Sequence, residues 1–130
     1  LDRRWIDEGV IEKAEQKNVQ LFFRSIFLQG LIFLNNGELK KREMNWAIPY
    51  LEQFNKLVST TSLTAMELSF NILSNIPGDN IIIIGVENLA QLQKNIMCIE
   101  EVEQDKTITT SWWSSIPVFP QKLLNPTLWN

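Results

Sequence analysis

Cysteine occurs once in the 130 residues, at Cys98, which excludes an internal disulfide and agrees with a reducing, intracellular setting. Flanked by Ile96, Met97 and Ile99 in a stretch that reads as helix, the thiol is expected to be a buried structural group rather than a reactive one. Long apolar runs are missing as well. None approaches the roughly 20 residues of a membrane-spanning helix, and Leu1-Asp2-Arg3-Arg4-Trp5 lacks the apolar core of a signal peptide. A soluble, cytoplasmic protein is the expectation. There is no excess of positive charge: the formal net charge is −3, with acids and bases interspersed. The broad basic face that binds phosphate backbones is therefore not available, and nucleic acid is not an expected partner. The first residue is leucine rather than methionine, which leads to the expectation that the polypeptide starts further upstream.

What the chain does have is 45% hydrophobic residues, enough at this length to bury about two-thirds of the unfolded surface in one domain over 1–130. Asp7 is placed to cap a short helix with Val10, Ile11 and Ala14 on one face and an end signal at Lys17 and Asn18. Val19 to Phe23 reads as a strand, and because Phe22 is apolar along with Val19, Leu21 and Phe23, both of its faces are expected to be covered. The polar segment Asn35 to Asn45 reads as a surface loop whose Lys40-Lys41-Arg42 run is solvated. Pro49 suits the first turn of a helix that carries Leu51, Phe54, Leu57 and Val58. Thr64-Ala65-Met66-Glu67 fits a capping box for a second helix, with Leu63 and Leu68 as its staple and Ala65, Leu68 and Ile72 in its buried stripe.

Ile76-Pro77-Gly78-Asp79 ends that helix, and Ile81 to Ile84 is a continuous β-branched run stopped by Gly85, the pattern of a strand buried on both sides. Asn88 can cap a last long helix, with Gln91 three residues on and one apolar edge of Leu89, Leu92, Ile96 and Ile99. From Asp105 to the end the chain reads as an irregular tail, whose Trp112, Trp113 and Trp129 pack against something else. Helix, strand, helices, strand, helix is an α/β order whose crossovers imply parallel strands. Two strands make too small a parallel sheet, since such sheets need both faces covered and their edges paired. The chain is expected to be one sector of a larger object.

Ligands in α/β folds gather beyond the carboxyl ends of the strands. Both strands run into glycine there, Gly30 after the first and Gly85 directly after the second. The helix that starts near Asn88 adds unpaired amides and a positive dipole end, a seat for phosphate, although any strand-to-helix turn can use glycine without a ligand.

These residues also resemble a family. "FFRSIFLQGLIFL" followed after two helices by "IIIIGVENLAQLQKNI" is similar to the C-terminal part of the aldo/keto reductases, where a strand ends in an R-S-x-F-L-Q-G-L segment and the last barrel strand leads into G-x-x-x-x-x-Q-L-x-x-N. "LDRRW" resembles the segment after that family's sixth strand, and "LNPTLWN" a terminus of some bacterial members. The resemblance covers almost the whole chain. It implies the last two strand-helix units of a (β/α)₈ TIM barrel, a fold of about 250 residues when whole. It further implies hydride transfer between a nicotinamide cofactor, usually NADPH, and a carbonyl or alcohol. Carried over by position, Ser25, Phe27, Leu28 and Gly30 match the loop near the cofactor pyrophosphate and ribose. Gly85, Val86, Glu87, Gln91 and Asn95 match the turn and helix that hold the adenosine end. Plainer readings stand beside these: Gln91 and Asn95 as ordinary helix amides, Phe27 and Leu28 as core, and Arg24 as a partner for a barrel-end carboxylate.

The sequence departs from the family pattern in two places. Members that select NADPH place a lysine or arginine just after the last strand, where this chain has Val86-Glu87. A carboxylate there repels a 2′-phosphate and can accept from a ribose diol, so NAD and NADP both stay open, with Lys94 one turn on as a possible compensation. The family's catalytic tyrosine, lysine, aspartate and histidine come from the N-terminal half of the barrel. This chain has no histidine, and its one tyrosine, Tyr50, lies beside Pro49, outside any family motif. No catalytic residue and no metal site is assigned. The competing expectation is a non-catalytic barrel remnant that assembles with itself or another chain through exposed barrel edges, and a helical adaptor stands third.

Overall fold

The computed structural model describes residues 2–104 and 114–129. Its elements are α1 (Arg4–Asp7), α2 (Val10–Gln16), β1 (Phe22–Arg24), α3 (Asn36–Lys41), α4 (Ile48–Ser59), α5 (Ala65–Ser74), β2 (Ile81–Ile83), α6 (Leu89–Gln104) and α7 (Gln121–Leu124). Short 3₁₀ turns occupy Leu31–Phe33, Asn45–Ala47 and Pro126–Leu128. This is a mixed α/β arrangement. The strands pair in parallel, Phe22 with Ile81, Phe23 with Ile82 and Arg24 with Ile83, and the Ile81 amide donates to the Leu21 carbonyl at 2.9 Å.

Local chemistry sets where the elements begin and stop. Asp7 does not cap α2: it ends α1, and its carboxylate is taken by the Arg3 guanidinium at 2.8 Å. Gly9, left-handed at φ 65°, opens α2 instead. Val19 is not in the first strand, because α2 ends by folding back on itself. Asn18 turns left-handed at φ 52°, and the Val19 amide donates to the Ala14 carbonyl at 2.8 Å while the Asn18 amide reaches the Glu15 carbonyl at 3.1 Å. That pair of bonds satisfies the last carbonyls of α2 and delays the strand to Phe22.

The expected loop of Asn35 to Asn45 is also corrected. It holds α3, started by a capping box in which the Glu38 amide donates to Asn35 Oδ1 at 3.0 Å and the Asn35 amide to Glu38 Oε2 at 2.8 Å. Leu39, fully buried, anchors it, and the Lys40-Lys41-Arg42 run is exposed as expected.

α4 and α5 form where their spacing and caps place them. Pro49 lies in the first turn of α4, which buries Leu51 and Phe54. The α5 capping box is complete, with the Thr64 amide on Glu67 Oε2 at 2.6 Å and the Glu67 amide on Thr64 Oγ1 at 3.3 Å. Leu68 through Leu73 are buried without a break, since α5 is covered on more than one side.

One apolar core joins these helices to Ile11, Ile26, Leu31, Leu39, Met44 and, from the last segment, Ile116, Phe119 and Leu123. The tail is therefore not irregular throughout, because its Gln121–Leu124 portion is helical and Leu123 is buried. Trp129 Nε1 donates to the Leu123 carbonyl at 3.2 Å, and Arg3 Nη1 donates to the Ile116 carbonyl at 2.9 Å, tying the two ends of the chain together. Trp112 and Trp113 lie outside the described residues.

Two expectations of coverage are overturned. Each strand alternates exposed, half-buried, exposed, with Phe22 59%, Ile81 39% and Ile83 49% accessible. One sheet face is thus uncovered among the described residues. α6 is turned the other way from its apolar edge. It lies against α5 and buries Asn95, Cys98 and Val102, whereas Leu89, Leu92 and Ile96 face outward and Ile99 is only half-buried.

Burial pushes the Cys98 thiol up to about 11, helped by the nearby Glu67 and Glu101 carboxylates and opposed by Lys94. The thiol is protonated at neutral pH and inert as a nucleophile. The folded state holds this proton more tightly than the unfolded one, whose thiol titrates near 9. Stability should therefore fall as pH rises above about 9 and level off near 11, and Cys98→Ala should abolish that slope in denaturant midpoints measured across the range.

Candidate functional site

Parallel pairing brings the ends of β1 and β2 to one rim. Past Arg24 the chain makes a tight sequence of turns with an unusual backbone. Ser25, Leu28 and Gln29 are left-handed at φ 56°, 48° and 55°, followed by Gly30 at φ 81°. Side-chain-bearing residues occupy this region only at a cost, and such clusters concentrate at ligand sites. The turn is held by the Leu28 amide on the Ser25 carbonyl at 2.9 Å and the Gly30 amide on the Phe27 carbonyl at 2.9 Å. Phe27 fixes it from below, with its ring 5.4 Å from that of Phe70 at 88° and 5.1 Å from Phe33. Of the segment Arg24 to Leu34 only Arg24 is strand, and the rest is this turn followed by the 3₁₀ turn Leu31–Phe33.

A Cβ added at Gly30 meets nothing within 4 Å, so the demand for glycine comes from the backbone and not from crowding. Gly30→Ala should cost about 1 kcal/mol, read as a lower midpoint in urea, without displacing a neighbour.

On the other side of the rim, Gly85, Val86, Glu87 and Gln91 are exposed. Asn88 caps α6 by accepting from the Gln91 amide at 2.9 Å, and Gln91 Oε1 accepts from the Glu87 amide at 2.8 Å. Gln91 is therefore engaged in closing the start of its own helix. Asn95 sits one turn further on and is buried, on the face turned toward the interior. A Cβ at Gly85 also meets nothing within 4 Å.

An opening lies along β1. It is a cavity of about 660 Å³ open to solvent, walled by Trp5, Phe22, Phe23 and Leu124 and edged by Arg24, Ser25, Gln29, Asn125 and Thr127. Asp2 and Arg4 also border it and neutralise each other through paired hydrogen bonds of 2.8 and 3.0 Å and a closer ion pair. Burial alone would raise the Asp2 carboxyl, but its hydrogen bonds from Arg4 outweigh this and hold it below the ordinary carboxylate value.

Of the expected cofactor residues, Ser25 and Leu28 line this cavity. Gly85, Val86, Glu87, Gln91, Asn95 and Gly30 do not, and Phe27 packs against the core beneath the turn. Arg24 has no carboxylate partner among the described residues. The cavity walls contributed by Trp5, Asn125 and Thr127 come from the two segments, "LDRRW" and "LNPTLWN", that carried no site assignment in the sequence. No group of three or more His, Cys, Asp or Glu able to hold a metal occurs among the described residues, and no helix among them is long and apolar enough to cross a membrane. Compared with protein-family models, with curated proteins and with solved structures, the chain matches none.

Proposed function

We propose that this chain is the cofactor-binding C-terminal part of an NAD(P)H-dependent, aldo/keto reductase-like oxidoreductase acting on a carbonyl or alcohol, with its catalytic groups in another part of the protein. The observation that carries the reading is the in-register parallel pairing of β1 and β2. It puts the left-handed turn of Ser25 to Gly30 and the capped start of α6 beyond the carboxyl ends of adjacent strands, the rim where barrel enzymes bind their ligands. In this reading Ser25, Leu28 and Gly30 lie toward the pyrophosphate and ribose with Phe27 holding their turn from the core, while Gly85, Val86 and Glu87 lie toward the adenosine, Gln91 closes the start of their helix and Asn95 anchors that helix to the interior. The dipole end of α6 offsets phosphate charge. Glu87 disfavours a 2′-phosphate and suits a ribose diol, which gives NAD a claim equal to that of NADP.

The test is a residue-resolved titration. Millimolar NAD⁺ or NADP⁺ added to the isotope-labelled chain should shift the amides of Ser25 to Gly30 and of Gly85 to Gln91 together. Shifts confined to one of those groups, or found elsewhere, overturn the reading. Reduction of an aldehyde by this chain at ordinary enzymatic rates contradicts the assignment of catalysis to other residues.

A second reading, a non-catalytic barrel remnant that assembles with itself or another chain, is favoured by one specific observation. Phe22, Ile81 and Ile83 leave a sheet face bare, and Leu89, Leu92, Ile96 and Met97 leave an apolar strip on α6. In the first reading these same faces are where the rest of the barrel sits.

A further inference from the structure

The cavity along β1 combines features that the dinucleotide reading does not use. Its charged border consists of Asp2, Arg4 and Arg24. Asp2 and Arg4 cancel, both held by their mutual hydrogen bonds, which leaves the Arg24 guanidinium as the uncompensated charge. Arg24 is exposed, makes no ion pair among the described residues, and lines the opening together with Gln29 and Ser25, both left-handed. The rings of Trp5 and Phe23, 5.1 Å apart, line the same opening. A planar guanidinium with neighbouring neutral donors is the arrangement that takes a carboxylate through paired, charge-assisted hydrogen bonds. An aromatic wall suits a flat apolar body. The opening measures about 660 Å³.

We propose that this cavity is a binding site for a small organic acid with an aromatic or apolar body, whose carboxylate is held by Arg24 with help from Gln29 and Ser25 and whose body lies against the paired rings of Trp5 and Phe23. The site stands apart from the adenosine end of the proposed cofactor site. It shares only the Ser25 to Leu28 turn with the pyrophosphate end, and it does not depend on a dinucleotide binding there.

Isothermal titration of the full chain with phenylacetate tests it directly, with phenylacetamide, inorganic phosphate and NADP⁺ as the comparison arms. Phenylacetate should bind saturably, and phenylacetamide, which has the same body without the charge, at least roughly tenfold more weakly. Added salt should weaken the phenylacetate complex because Arg24 is exposed. Arg24→Gln should lower phenylacetate affinity by at least about tenfold while leaving the far-ultraviolet dichroism and melting temperature unchanged, since the side chain supports nothing in the fold. Equal affinity for phenylacetate and phenylacetamide overturns the proposal even if the variant fails to fold. Phosphate binding more tightly than phenylacetate overturns it too, by making the site a simple anion cradle. Phenylacetate binding without any NADP⁺ binding leaves this site standing and removes the cofactor reading. NADP⁺ binding without phenylacetate does the reverse.

Discussion

Phe70→Ala should remove about 3–5 kcal/mol of unfolding free energy, the range found when a large aromatic is cut from a packed core. Phe70 is 1% exposed and meets the edge of Phe27 at 5.4 Å in a near-perpendicular pair. Such a pair contributes about 0.5–1.5 kcal/mol beyond the area it buries. A domain of ordinary stability has about 5–15 kcal/mol in all, so the variant should be largely unfolded in modest urea. The loss should also reach the rim. Phe27 is what α5 presses against to hold the Ser25 to Gly30 turn in its left-handed backbone, and three side-chain-bearing residues in that conformation within six positions stay in place only while their surroundings force them. Amide exchange at Leu28 and Gln29 should therefore accelerate in Phe70→Leu, a gentler change that keeps the fold, before the helices loosen. Exchange there no faster than in the parent chain would mean that the turn holds itself.

The sequence made α4, α5 and the parallel order of the strands legible because their signals are local. Pro49 in a first turn, the Thr64 and Glu67 box, and the β-branched run of Ile81 to Ile83 each carry their own physical cause. The α3 capping box was equally present in Asn35-x-x-Glu38 but was masked by the glycine and charges around it. The strand start was misplaced for a different reason. Asn18 is a residue that tolerates a left-handed turn, and the helix end built on it consumes Val19, which hydrophobicity alone assigns to the strand.

The face of α6 could not be read because an apolar stripe says only that something covers it. Here the partner α5 is met by Asn95, Cys98 and Val102 instead. The rim residues were legible through a resemblance, but the cavity was not. Its walls come from segments some 120 residues apart, joined by contacts such as Arg3 to Ile116, and no spacing rule reports that kind of closure.

The bare faces carry the other large expected effect. In sedimentation at tens of micromolar the chain should run as a species heavier than its 15.1 kDa protomer. Fully burying a side chain such as Phe or Ile is worth about 1.5–3 kcal/mol. Phe22, Ile81 and Ile83 are already about half-buried, so covering the rest of them in both copies offers about 4–9 kcal/mol. That is comparable with the lower end of an association cost of about 4–15 kcal/mol, and the exposed Leu89, Leu92, Ile96 and Met97 of α6 add to it. β1 has a further incentive, because its edge away from β2 has no strand beside it among the described residues, and an open edge invites pairing.

Phe22→Lys with Ile83→Lys should raise the dissociation constant by about a hundredfold or more, as two like charges would be forced across the contact and two anchors lost. Leu92→Lys with Ile96→Lys on α6 then separates the surfaces: monomer from the first pair alone places the contact on the sheet, and monomer from the second alone places it on the helix. A compact monomer for the unsubstituted chain over the whole concentration range would dispose of self-assembly. The barrel reading would still stand, since there these faces are covered by strands and helices of the same protein.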